Sequence, residues 1–142
     1  MTSESVEPRT LAREFVFPGT LGAMNAARDC IMDFIHEQKI AEQDETDILI
    51  ALQEALANAV LHGARNHPEK LIRCSVEFNP SAITITVKDP GEGFDTSAST
   101  TTDVAINLTE HGRGMHLMRS LVDEVTYADH GSEVRLKKLL AR

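Results

Sequence analysis

The chain has 142 residues, 14 Lys plus Arg against 22 Asp plus Glu, and a formal charge of −8. That length suits one domain, and 42% hydrophobic with 25% charged residues is ordinary globular composition, which argues against wholesale disorder. The acidic balance excludes a nucleic-acid binder of the ordinary kind, and with only Lys39, Lys70, Lys88, Lys137 and Lys138 as lysines, a phosphate ligand must rely on backbone amides, a metal or a few arginines.

Met1 to Thr10 carries Glu4, Glu7 and Arg9 without an apolar core, and is expected to be a flexible segment rather than a secretory signal. Leu11 to Phe17 reads as a strand ending at Pro18-Gly19. Thr20 is a fitting N-cap for a helix to about Gln38, with Leu21, Met24, Ala27, Ile31, Phe34 and Ile35 recurring at helical steps. After a short connection, Asp44 is expected to open a second helix to about His62, with Gly63 placed to end it. Leu71 to Phe78 and Ala82 to Lys88 both alternate apolar and polar residues about an Asn79-Pro80-Ser81 turn, which predicts an antiparallel pair with one core face.

Residues 89–111 form a long Gly/Ser/Thr-rich stretch with little periodicity. So long a structureless segment in so short a chain points to function or disorder. A third helix is expected from Gly114 to Glu124, then a second hairpin of Val125 to Ala128 and Glu133 to Leu139. Hairpins segregated beside three helices predict an α+β fold, a two-layer α/β sandwich with a mixed, mainly antiparallel sheet and the helices on one face. Cys30 and Cys74 fall on apolar faces and read as buried free thiols, and the scattered histidines lack zinc-ligand spacing. No apolar run approaches the ~20 residues needed to span a bilayer. The expectation is a cytoplasmic domain without a membrane contact.

Three segments carry chemistry. From Ile48 to Leu61 the second helix has Glu54 as its only ionisable residue, with Asn58 its neighbour one turn on. The surroundings are small and apolar, unlike a solvated face. Alone, the pair fits either a hydrogen-bonded packing contact or the wall of a cleft. Asp89-Pro-Gly91-Glu-Gly93 follows directly on a predicted strand; its glycines allow close backbone approach to a ligand, or simply a turn. His111-Gly112-Arg113-Gly114 opens the third helix, where first-turn N–H groups and the Arg113 guanidinium suit an anion.

In this order the three segments resemble the ATP-binding (Bergerat-type) fold shared by gyrase, Hsp90, histidine kinases and MutL. Glu54-xxx-Asn58 is similar to its N-box, Asp89-x-Gly91-x-Gly93 to its first glycine box and Gly112-x-Gly114 to its second. The longer strings Glu54 to Gly63, Asp89 to Asp95 and Gly112 to Met118 resemble the small bacterial anti-sigma factors that are also serine protein kinases, the partner-switching family. The resemblance covers residues 11–139 and implies a single ATPase domain over 11–142, with an ATP lid at about 95–111.

The resemblance implies ATP and Mg²⁺ as cofactors. Asn58 would hold the metal and Glu54 would act as catalytic base or orient the attacking hydroxyl. Asp89 would accept from the adenine amine while Gly91 and Gly93 pass beside the base. Gly112, Arg113 and Gly114 would cap the phosphates, and Ser132 would reach the adenine side. It also implies two protein partners, an anti-sigma factor antagonist phosphorylated on serine and an RNA polymerase sigma factor, and a homodimer. The alternative of a non-catalytic nucleotide-binding interaction module sits less easily with an intact Glu54 and Asn58. A detached sensor histidine kinase domain lacks its helical hairpin here, and the gyrase-like and Hsp90-like readings need further domains.

Overall fold

A computed structural model describes residues 10–90, 117–128 and 131–140. The described elements run β1 (Leu11–Pro18), α1 (Leu21–His36), α2 (Glu42–Asn58), a π-helical turn (Ala59–Ala64), β2 (Leu71–Asn79), β3 (Ala82–Lys88), a helical segment α3 (117–121), β4 (Glu124–Ala128) and β5 (Glu133–Leu139). The strands form one sheet in the order β1-β2-β3-β5-β4. All four pairings are antiparallel, so the parallel component implied by a mixed sheet is not seen among the described residues.

Alternation decides which face of the sheet is covered. Ile72, Cys74 and Val76 of β2, Ile83, Ile85 and Val87 of β3, and Val134 and Leu136 of β5 are all buried on the helix side. The other face is polar, with Ser75, Glu77, Thr84, Thr86, Arg135 and Lys137 lining a shallow hollow. Asn79 closes the β2–β3 hairpin: its side-chain oxygen accepts from the N–H groups of Ser81 (2.8 Å) and Ala82 (3.0 Å), the side-chain turn for which Asn is favoured.

Thr20 caps α1 as expected, its Oγ1 accepting from the Ala23 N–H at 3.3 Å. Met24, Ile31, Phe34 and Ile35 form the buried stripe, and Arg13 of β1 covers the Phe34 ring with its guanidinium 4.7 Å from the centroid, a cation–π arrangement. Cys30 lies outside that stripe and is exposed; only Cys74 is buried. Burial raises the Cys74 thiol pKa to about 12, because the thiolate would be stranded away from water.

The second helix departs from expectation at both ends. It begins at Glu42 rather than Asp44 and has no side-chain cap. Ala51 is buried while Leu49 is more than a third exposed. Ala51 faces Ile83, Ile85 and Leu136 of the sheet, so a small residue takes the position of close approach. Beyond Asn58 the helix widens into the π turn. Gly63 lies inside that turn, and the helix ends instead at Arg65, in the left-handed region at φ 56°.

A buried ionic knot joins the layers. Lys138 of β5 donates from Nζ to Asp47 Oδ2 at 3.2 Å and to the Leu121 carbonyl at 3.0 Å. Its Nζ lies 3.9 Å from Asp44 Oδ1, and the three side chains are only 10–16% exposed. One lysine thus ties the first two turns of α2, the end of α3 and the sheet together.

Candidate functional site

A cavity of about 340 Å³ opens between the far end of α2 and the ends of β3, β4 and β5. It is built by a helix wall and a sheet floor. Asn58 and the π turn supply the wall; Val87, Val134 and the buried Met118 supply apolar floor, and Asp89 and Ser132 supply polar groups. A largely apolar hollow with a few convergent polar groups is the usual form of a small-molecule site.

Asp89 is the first residue after β3, and its N–H donates to the Ser132 carbonyl at 2.9 Å. That bond holds the strand end against the turn before β5. The Asp89 carboxyl packs against the Cα of Gly63, where a Cβ would overlap it. Gly63 therefore has a use its sequence position concealed. It was expected to stop a helix, and it instead gives the carboxylate room to lie against the helix wall. The close approach needs a residue without a side chain.

The π turn also brings His62 and Arg65 to the cavity. Turns of this kind are rare and occur often at functional sites. Periodicity at 3.6 residues could not reveal this one. Tyr127, the chain's one tyrosine, lines the cavity from β4. Burial raises its pKa to about 12, with the nearby Arg119 charge pulling weakly the other way.

Of the residues singled out in sequence, Asn58, Asp89 and Ser132 line this one cavity. Glu54 does not. It borders a separate groove between α1 and α2, together with Met32, Leu49 and Ile50. One helical turn separates Glu54 from Asn58, but the two side chains serve different hollows. In that groove Arg28 donates to Gln53 Oε1 at 2.9 Å and so spans the two helices. Gly91, Gly93, Gly112, Arg113 and Gly114, and the lid expected over 95–111, lie outside the described residues.

Among the described residues no three His, Cys, Asp or Glu side chains come together as a metal cage. Mg²⁺ needs none when it arrives with phosphates, since it keeps waters and uses one or two protein oxygens. The Asn58 amide, facing the cavity, is a donor of that kind. No described helix is long and apolar enough to cross a membrane.

A sheet with its helices on one face and a ligand-sized cavity at the helix end suit an α+β domain that binds a small molecule. The chain belongs to the histidine kinase-like ATPase domain family, which it matches over residues 17–138. It is similar to the anti-sigma F factor of Geobacillus thermodenitrificans, 28% identical over 122 residues that cover 82% of this chain and 84% of the relative. The anti-sigma F factor of Clostridium beijerinckii is 25% identical over 118 residues, covering 79% and 82%. In fold it resembles the crystal structure of the RsbU and RsbW domains of a Mycobacterium tuberculosis protein. The TM-score is 0.65 at 18% identity, over 93% of this chain and 33% of that one.

Proposed function

We propose that this protein is an anti-sigma regulatory factor that uses Mg-ATP to phosphorylate a serine on an antagonist protein and binds an RNA polymerase sigma factor in a partner switch. The observation that carries the reading is the meeting of Asn58, Asp89 and Ser132 on one cavity, in a chain of this ATPase family. The similarity to anti-sigma F factors over four fifths of the chain supports the choice of partners. Exposed Leu11, Val16 and Leu21 on β1 and α1 support a homodimer, because apolar groups on neighbouring elements favour burial against a second copy.

In this reading Asp89 accepts a hydrogen bond from the adenine amine, worth ~1.5–3 kcal/mol to a charged acceptor, and Ser132 flanks the base. Asn58 would hold Mg²⁺ through its amide oxygen, and the ion would supply charge neutralisation at the phosphates. Gly91 and Gly93 would let the chain pass beside the base, and Gly112, Arg113 and Gly114 would cap the phosphates. Glu54 receives the proton of the seryl hydroxyl. The seryl oxygen bonds to the γ-phosphorus, the bond from that phosphorus to the β–γ bridging oxygen breaks, and ADP leaves. Such transfer proceeds mainly by positioning and electrostatic stabilisation.

The place of Glu54 in the α1–α2 groove favours a second reading, a module that binds nucleotide and partners without phosphoryl transfer. Two measurements separate them. Thermal unfolding with Mg-ATP at a hundredfold excess over Kd should show ~2.7 kcal/mol of stabilisation, lost in Asp89→Asn and Asn58→Ala. Transfer of the labelled γ-phosphoryl group to the cognate antagonist should occur with the wild type and fail with Glu54→Gln. No shift with nucleotide would sink both readings; a shift without transfer would leave the module.

A further inference from the structure

Among the described residues that line the cavity, Arg65 is a cationic side chain with no partner in that set. It is exposed, and its guanidinium makes no hydrogen bond or ion pair with any described residue. Its backbone is fixed on every side. The Arg65 N–H donates to the Val60 carbonyl, and the Asn66 N–H bonds to the same carbonyl at 2.9 Å. Asn66 Oδ1 accepts from the Leu21 N–H at 3.2 Å, and His67 Nδ1 meets the Ala64 carbonyl at 3.1 Å. Arg65 and Asn66 both hold positive φ, which turns the chain sharply at the cavity mouth. The Arg65 backbone is thus held in place beside the opening, and its exposed side chain lines the cavity.

Its position along the helix decides what it meets. Asn58, the proposed metal and phosphate end, lies five residues before Gly63; Arg65 lies two residues after it. Gly63 is where the Asp89 carboxyl rests, so it marks the base end. Arg65 thus lies two residues past the Asp89 contact and seven past Asn58, on the stretch of wall that ends at the base side. A planar guanidinium can stack on the face of a flat aromatic ring as well as pair with phosphate oxygens, and the group nearest to it along this wall is the Asp89 carboxyl at the base end.

We infer that Arg65 is a nucleobase-stacking residue that covers the open face of the adenine ring. This rests on the nucleotide reading of the cavity. A partly exposed cation–π contact is worth roughly a 3- to 30-fold change in affinity. The other cavity-facing polar groups set the orientation of the base, and Arg65 adds affinity that does not depend on the phosphate chain.

Calorimetric titration of the full chain with ATP, ADP and AMP tests this, using Arg65→Asn, Arg65→Lys and wild type. Asn keeps the left-handed conformation at little cost, so folding is preserved, and melting temperature without nucleotide checks it. The expected result is the same loss, about 5- to 10-fold, for all three nucleotides in Arg65→Asn, with Lys recovering less than half of it on a logarithmic scale. A loss that shrinks from ATP to AMP would overturn stacking in favour of a phosphate contact. Unchanged affinities in a normally folded variant would also overturn it. Failure of the wild type to bind any of the three would refute the nucleotide reading itself.

Discussion

Replacing Lys138 by Met tests how far the buried ionic knot supports the fold. The substitution keeps the side-chain length and removes the charge, so its effect is on the charged contacts rather than on packing. Two acceptors, Asp47 Oδ2 and the Leu121 carbonyl, lose their donor, and Asp44 Oδ1, 3.9 Å away, loses a nearby opposite charge. Truncating one partner of a buried pair typically costs ~3–5 kcal/mol, whereas exposed pairs are worth ~0–1 kcal/mol. Side chains 10–16% exposed lie near the buried limit, but water can still reach them. We expect about 2–4 kcal/mol, a large part of the ~5–15 kcal/mol that stabilises a domain. For a domain of this size that lowers Tm by about 6–15 °C. Urea unfolding should show a lower midpoint with an unchanged slope. Adding Asp47→Asn to Lys138→Met should restore more than ~1 kcal/mol, because it removes one stranded charge. A single-variant cost below ~1 kcal/mol, or strictly additive losses in the double variant, would refute the knot as a buried charge network.

Two further outcomes follow from burial. Tyr127 is the only tyrosine, so its ionisation can be followed directly by ultraviolet absorbance, with a midpoint near pH 12 in the folded chain against 10 for the free group. The folded state then holds a proton that the unfolded state has lost, so this contribution to stability declines as pH rises above 10 and levels off beyond 12. Tyr127→Phe should flatten that decline; an unchanged pH profile in the variant would contradict it. Thiol labelling at neutral pH should modify Cys30 rapidly and Cys74 only after unfolding, since one is exposed and the other buried; equal rates would show that the β2 core opens freely.

The alternating hairpins were legible to within one residue at each strand end. Ala82–Lys88 and Glu133–Leu139 were read from sequence with their observed bounds, because a sheet with one covered face imprints a period of two on its strands. One position of the buried face of α2 was less accessible. Leu49 and Ala51 are both apolar, and only the closeness of the sheet decides that the small one goes inside. Asn58 and Asp89 could be picked out by residue type and spacing and Ser132 only through the family resemblance, but their shared cavity depends on a pairing of β3 with β5 that local pattern does not reveal. Glu54 shows the limit of neighbour rules. Residues four apart share a helix face, yet a helix packed on two sides divides that face between two hollows. The contact of Lys138 with Asp47 spans 91 positions, and no local pattern announces it.

The π-helical turn makes the site sensitive to residue number as well as residue type. An α-helix advances by 3.6 residues per turn, whereas the turn at Ala59–Ala64 accommodates one residue more between bonded groups. Deleting any one residue there would let the regular helix continue and rotate everything downstream by about 100°. Gly63 would leave the Asp89 carboxyl and Arg65 would leave the mouth, although most side chains remained. For this wall of the cavity, chain length is the inherited quantity, and a one-residue gap would be less tolerable than several substitutions.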